Sequence, residues 1–392
     1  MSNANCADPI RTVDMPAGSG DLDHWRAIGD PLADAVIAEL AAHDDSARRN
    51  LDLGLSAGLS AVKDPLPALR AFLEACEAAG NDDLSAMRRG SDAYLSIGAT
   101  WIALSLGPGS LTHTYSAPSI ARVLADTGNL TRMAARRLLE TGSWNTTSVV
   151  PGALQVGAAG YVHNLQVRLL HARVRHALIR RGWDDAASLP INQLELARTW
   201  LDFTFIPFQA LDRLGIRFTQ AELRDLYCLW HRIAALIGVA PELYRAVVDQ
   251  VSGAHLLSAI DAHAPLPDEA SRQLTAAMLG AVATLLAPRL RVGRATSLGL
   301  ARAILRRLHG DTLADQLGVP RSPVALALPA IILANRLARR HMRRSPARRA
   351  EVIAETLAAF DEANRDLAGK TTYQRALDEP VDDKVPQTIA PQ

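Results

Sequence analysis

The chain has 392 residues, 48% of them hydrophobic, with 42 basic against 41 acidic side chains and a formal net charge of +1. That length can bury the core of one large domain or two modest ones, and the balanced charge argues against a nucleic-acid partner, which leaves a strongly basic footprint. Three scattered cysteines (Cys6, Cys76 and Cys228) have neither disulfide-framework nor metal-site spacing, and the lack of CxxCH excludes covalent haem attachment.

In chain order, "MSNANCADPIRTVDMPAG" has no basic start followed by an apolar run, so no secretion signal is recognised. A cytoplasmic chain is expected, or a secreted one if a leader preceded this stretch. Residues 1–22 are expected to be a flexible segment. Helical periodicity then predicts helices at Pro31 to His43, Pro65 to Ala79, Ala117 to Thr127, and Leu130 to Thr141, the last stopped by Gly142 in a left-handed conformation. A long helix from about Gly160 to Arg181 ends at Gly182, and Ile191 to Leu214 follows, kinked or broken by Pro207. Thr219-Gln220-Ala221-Glu222 has capping-box form and opens a helix to Gly238. Further helices are expected at Pro241 to Ser258, Asp268 to Leu286, Leu298 to Leu308, Ala325 to Arg340 and Pro346 to Asp366.

The apolar runs Leu274 to Pro288 and Val324 to Leu337 both fall short of the ~20 residues of a membrane span and read as buried core helices, so no transmembrane segment is expected. No alternating strand pattern and no internal repeat is found. The expectation is one all-α domain over residues 23–368, followed by a disordered polar tail over 369–392.

"VRLLHARVRHAL" raises the chemical question. As a helix it sets Val167, Leu170, Val174 and Leu178 on one apolar stripe with His171 in its middle and Arg168 and Arg175 along its edge. A histidine so placed is either a quiet core residue or a ligand. The arginines are either a solvated edge or partners for the two carboxylates of a haem. His163 lies on a similar face, His176 points with the arginines, and His231 follows Trp230 on another amphipathic helix. None of them forms an HExxH or a Cys/His cluster, which leaves zinc weakly supported.

"VRLLHARVRHAL", "WDDAASLPINQLELARTWLDFTF" and "LYCLWHRIAALIGVAPEL" resemble the central block of latex-clearing proteins. These are rubber oxygenases within a wider family of b-type-haem oxygenases that includes the enzyme cleaving the side chain in mycophenolic acid synthesis. The resemblance runs from about Asp23 to Pro320, through "DHWRAIGDPLADAVIAEL", "TGNLTRMAARRLLETGSW" and "LRRLHGDTLADQLGVP". It implies a globin-like helical core holding one non-covalent haem b, with His171 as the iron ligand. It likewise implies Arg137 and Thr141 as the distal arginine and threonine, and Thr204 as a pocket threonine. Glu140 stands where some latex-clearing proteins carry the lysine that caps the iron. No lysine lies between Lys63 and Lys370, and no acid between Leu95 and Leu124 matches the family's distal glutamate, which leaves Glu140 to replace it.

The expected function is therefore a haem-dependent oxygenase. It would use dioxygen to cleave the double bond of an apolar, isoprenoid substrate to aldehyde and ketone ends, with Arg137 stabilising negative charge on oxygen. The alternatives are a non-catalytic haem or apolar-ligand carrier on the same scaffold, and a helical interaction protein in which His171 is structural.

Overall fold

The computed structural model describes residues 19–79, 83–126, 130–185, 188–262, 264–367 and 369–378. Among these residues every regular element is helical and there is no strand. The all-α expectation holds; residues 1–18 of the expected flexible segment, Cys6 with them, and the end of the tail lie outside the described residues, while the last four residues of that segment, 19–22, are helical in α1.

The first layer is α1 (Ser19–Arg26), α2 (Pro31–Ala42), α3 (Asp45–Ala57) and α4 (Pro67–Ala78). Asp30 starts α2 by accepting from the amide of Ala33, with Pro31 at the first helical position, where its missing N–H costs nothing. Helix α5 (Leu84–Leu95) lies along α13 (Gln220–Leu236). Gly90 permits that approach, because a Cβ there would sit 2.4 Å from the carbonyl oxygen of Asp225. Thr219 and Glu222 form the expected reciprocal capping box at the start of α13.

The chain then passes through α6 (Ala99–Leu104), a π-helical turn at Ser105–Leu111, α7 (Thr112–Tyr115) and α8 (Pro118–Asp126). Helix α9 (Leu130–Ser148) runs straight through Gly142, which keeps helical backbone, so the expected stop at Thr141 is wrong by two turns. Helix α10 (Ala159–Arg180) carries the "VRLLHARVRHAL" stretch and ends at Gly182, whose φ of 83° only glycine adopts without strain.

The expected break before Pro207 falls at Thr204 (φ −119°, ψ −83°), between α11 (Gln193–Phe203) and α12 (Phe205–Arg213). Its ring conflicts with the carbonyl four residues back, which belongs to Phe203. The expected Pro241 to Ser258 helix is two, α14 (Pro241–Tyr244) and α15 (Gln250–Asp261), because Asp249 caps the second. The chain closes with α16 (Glu269–Leu290), α17 (Arg294–Gln316), α18 (Leu328–Arg344), α19 (Pro346–Asp366) and α20 (Thr372–Asp378). Where the tail was expected to be disordered, α20 packs against α10. Extended to 22 residues, α16 is, by length and composition, one helix long and apolar enough to cross a membrane. In the fold it lies against α9 and α17.

Two large buried clusters result. One gathers α2, α4 and α5 with α10, α11 and α13; the other lies between α16 and α17, with Ala210 of α12 and Leu214 just after it.

Candidate active site

A cavity of about 280 Å³ opens where α7 and α8, α9, α10 and α11 converge. His171, Val167, Leu170 and Val174 reach it from α10, and Arg137, Glu140, Thr141 and Trp144 from α9. Residues 137 and 141, one turn apart, thus share a cavity with the histidine of the neighbouring helix. Much of the remaining wall is apolar or aromatic, with Trp200, Phe203 and Trp230 among its residues. Trp144 packs edge-on against Phe203 and Trp230, and its indole N–H donates to Asn164 at 3.1 Å, which fixes the ring.

Burial, seconded by the Arg175 charge, lowers the pKa of His171 to about 4, so its imidazole is neutral at pH 7. Its Nδ1 is buried with no hydrogen-bond partner. His163 Nδ1 is likewise buried without a partner, but of the two histidines it is His171 that lines the cavity. Burial also lowers the pKa of Arg137 and raises that of Tyr115, and the two groups, both in the cavity wall, interact electrostatically.

Glu140 lines the cavity, but its carboxylate is engaged. It accepts from Arg136 Nε at 3.0 Å, from the amide of Thr372 at 3.1 Å and from the Thr372 hydroxyl at 2.8 Å. Thr372 and Tyr373 themselves line the cavity, so α20 is part of the site. A second acid, Glu195, is also in the wall; burial raises its pKa, against a hydrogen bond with the Ser119 side chain. Sequence reading missed it, because Glu195 sits three residues after Asn192, which caps α11 through the Glu195 amide and makes the acid look like a helix-start residue.

Three expected site residues are elsewhere. Arg168 donates through Nε and Nη2 to the two oxygens of Asp30 at 2.6 and 2.9 Å, both residues being buried. Arg175 donates to Asp34 at 2.7 Å and to the carbonyl of Ile191 at 2.6 Å. Neither lines the cavity. Both are committed to α2 because a guanidinium removed from water needs a carboxylate. Thr204 is fully buried and donates to the Trp200 carbonyl at 3.0 Å; Thr199, five residues earlier, reaches the cavity in its place.

"PINQ" has a mechanical role. Ile191 is held at φ 55°, strained for a β-branched residue, and lines the cavity. Gln193 secures the turn by donating to the carbonyls of Gly29 and Gly238 and accepting from the Ala240 amide, each at 2.8 or 2.9 Å.

Behind α7 lies a charged cluster. His113 contacts Asp202 through Nδ1 at 2.6 Å and Asp261 through Nε2 at 3.0 Å. Burial and Arg198 oppose its protonation, but the two carboxylates outweigh them and raise its pKa. Asp261 is held at about 2, despite burial, by His113 and Arg198. Thr114, a cavity residue, donates to Asp202 at 2.7 Å. The cluster therefore pins one cavity wall to α11 and α15. Among the described residues, no group of three or more His, Cys, Asp or Glu side chains is arranged to hold a metal ion.

A family profile described as "ER-bound oxygenase mpaB/B′/Rubber oxygenase, catalytic domain" matches residues 95–345. Among solved structures, a latex clearing protein LCP in the closed state is similar, with a TM-score of 0.64 and 20% identity over 86% of this chain and 90% of that one. At that identity the likeness speaks for the fold. No curated protein matches the chain.

Proposed function

We propose, from the premise that this chain belongs to the mpaB/B′ and rubber oxygenase catalytic-domain family, that it is a haem-b-dependent oxygenase. It would use dioxygen to cleave a carbon–carbon double bond of an apolar, isoprenoid substrate into aldehyde and ketone ends. The observation that carries the haem assignment is His171. A neutral imidazole in the wall of an apolar cavity, with no hydrogen bond at its buried Nδ1, has the chemistry of an iron ligand. Haem, when bound, would supply the binding and activation of dioxygen.

The rest of the chemistry belongs to the chain's own groups. Arg137 brings a fixed positive charge to a water-poor site, where it stabilises negative charge that develops on oxygen during reaction. The Thr141 hydroxyl beside it offers a hydrogen-bond donor. Glu195, whose pKa burial raises, puts a carboxyl group at the wall where a proton can be exchanged. Glu140 accepts from Thr372 and Arg136, so we assign it a structural role in place of base or iron cap. The aromatic and aliphatic wall excludes water and accepts an alkene better than a sugar or phosphate.

The test is an absorption spectrum of the purified protein and of His171→Ala, followed by product analysis with labelled dioxygen and short polyisoprene, squalene-like and carotenoid-like substrates. The expected result is a Soret band lost in His171→Ala and labelled carbonyl products from the parent protein. A full Soret band in His171→Ala overturns the ligand assignment. Haem-replete protein yielding no labelled product across the panel overturns the oxygenase reading and leaves a carrier.

A further inference from the structure

Helix α18 is held to the fold by a narrow stripe: Leu328, Ile332, Asn335 and Arg339 are buried, at spacings of four, three and four. The opposite side is largely uncovered among the described residues. Leu333 and Leu337, one turn apart, are 57% and 55% exposed, and Leu326 in the turn before the helix, at 87%, is the most exposed large hydrophobic among the described residues. Leu333, Leu337, Arg340 and Arg344 follow one another at i, i+4, i+7 and i+11, so apolar and basic groups share one outward ridge.

Charge is biased over the same stretch. Between Asp315 and Glu351 there are eight arginines and no acid. Arg339, Arg343 and Arg349 converge on the single carboxylate of Glu222, while Arg321 and Arg348 pair outside the stretch. Arg336, Arg340 and Arg344 are exposed and have no carboxylate partner among the described residues.

We propose that α18, with the turn carrying Leu326, docks on an anionic phospholipid membrane surface, the leucines entering the acyl boundary and the arginines meeting lipid phosphates. A partner must offer an apolar layer and negative charge within one helix turn of each other, and an anionic bilayer does so across its interface. A second copy of the chain is disfavoured, since a two-fold contact on this ridge gathers the uncompensated arginines of both copies. None of these residues lines the cavity, so the proposal stands apart from the oxygenase reading. Its consequence for that reading is access to apolar substrate dissolved in a membrane.

The experiment is flotation of the full chain with phosphatidylcholine vesicles, with and without phosphatidylglycerol, at low and physiological salt. Binding is expected only to the anionic vesicles and should fall with salt. Each of Arg340→Gln and Arg344→Gln should weaken it about fivefold. Leu333→Gln/Leu337→Gln should weaken it further with helicity unchanged, while Leu266→Gln, exposed elsewhere, should have no effect. Equal binding to neutral vesicles, or unaltered binding by the arginine and leucine variants, overturns the proposal. So does a concentration-dependent dimer abolished by the leucine variant in a protein that ignores vesicles, which assigns the face to a second copy.

Discussion

Replacing Asp202 by asparagine removes one charge from the cluster behind the cavity wall while keeping its shape. Asp202 is fully buried and accepts from His113 Nδ1 at 2.6 Å and from Thr114 Oγ1 at 2.7 Å. The asparagine carbonyl still accepts from His113. Its amide can donate to Thr114, whose own hydroxyl already reaches the Ser110 carbonyl at 3.2 Å. What is lost is one of the two carboxylates that balance His113 and Arg198, leaving Asp261 alone to do so. Breaking a buried pair costs ~3–5 kcal/mol, and the retained hydrogen bonds place this change at the lower end, about 3 kcal/mol. With an unfolding entropy of about 2.1 cal/mol/K per residue, 392 residues give about 0.8 kcal/mol/K, so the thermal midpoint should drop by about 4 °C. The sign with pH follows from the raised pKa of His113. A raised folded-state pKa contributes stability in full below the unfolded value of about 6.5, and that contribution is lost as pH rises through the folded value. The gap between parent and Asp202→Asn should therefore be wider at about pH 6 than at about pH 9. Thermal melts followed by circular dichroism decide it. A midpoint within about 1 °C of the parent, or a gap indifferent to pH, refutes the charged-cluster reasoning.

The strap formed by α20 should loosen when its tie to Glu140 is cut. Thr372→Val removes a hydrogen bond to a carboxylate worth about 1.5–3 kcal/mol, so trypsin should cleave after Lys370 or Arg375 at least about tenfold faster while the core stays intact; an unchanged cleavage rate would show that Glu140 does not hold it. Two glycines on helices should answer oppositely to alanine. Gly90→Ala drives a Cβ onto the Asp225 carbonyl and should cost about 1–3 kcal/mol, whereas Gly142→Ala meets nothing within 4 Å and should gain about 0.5–1 kcal/mol, both read as shifts in denaturant midpoint.

The parts legible in the sequence were those set by local spacing. The stripe of α10 with His171 within it and the capping box at Thr219 depend on residues close in the chain, while Arg137 and Thr141 were singled out by the family resemblance. The parts misread depend on partners far away in sequence. Arg168 and Arg175 look like free cations on a helix edge until Asp30 and Asp34 arrive from 138 and 141 residues upstream. Gln193 could be associated with a family through "PINQ", but its bridge to Gly29 and Gly238 is visible only in three dimensions. Seven residues of α20 are too few to be stable alone, so nothing local marks them as helix. Packing on α10 and the Glu140 contacts supply what the segment lacks.

The π-helical turn at Ser105–Leu111 makes the site depend on chain length as well as on side-chain identity. A π turn holds one residue more than an α turn, and one residue corresponds to about 100° of helical rotation. Everything that follows, including His113, Thr114 and Tyr115, is aimed by that surplus residue. Deleting a single residue between Leu104 and Thr112 would let the segment relax into an α-helix and swing those side chains by more than a quarter turn, away from both the cavity and Asp202. Substitution within the turn is the milder lesion, because it leaves the count intact. An insertion or deletion there amounts to a frameshift of the wall, with every residue still present and each one facing the wrong way.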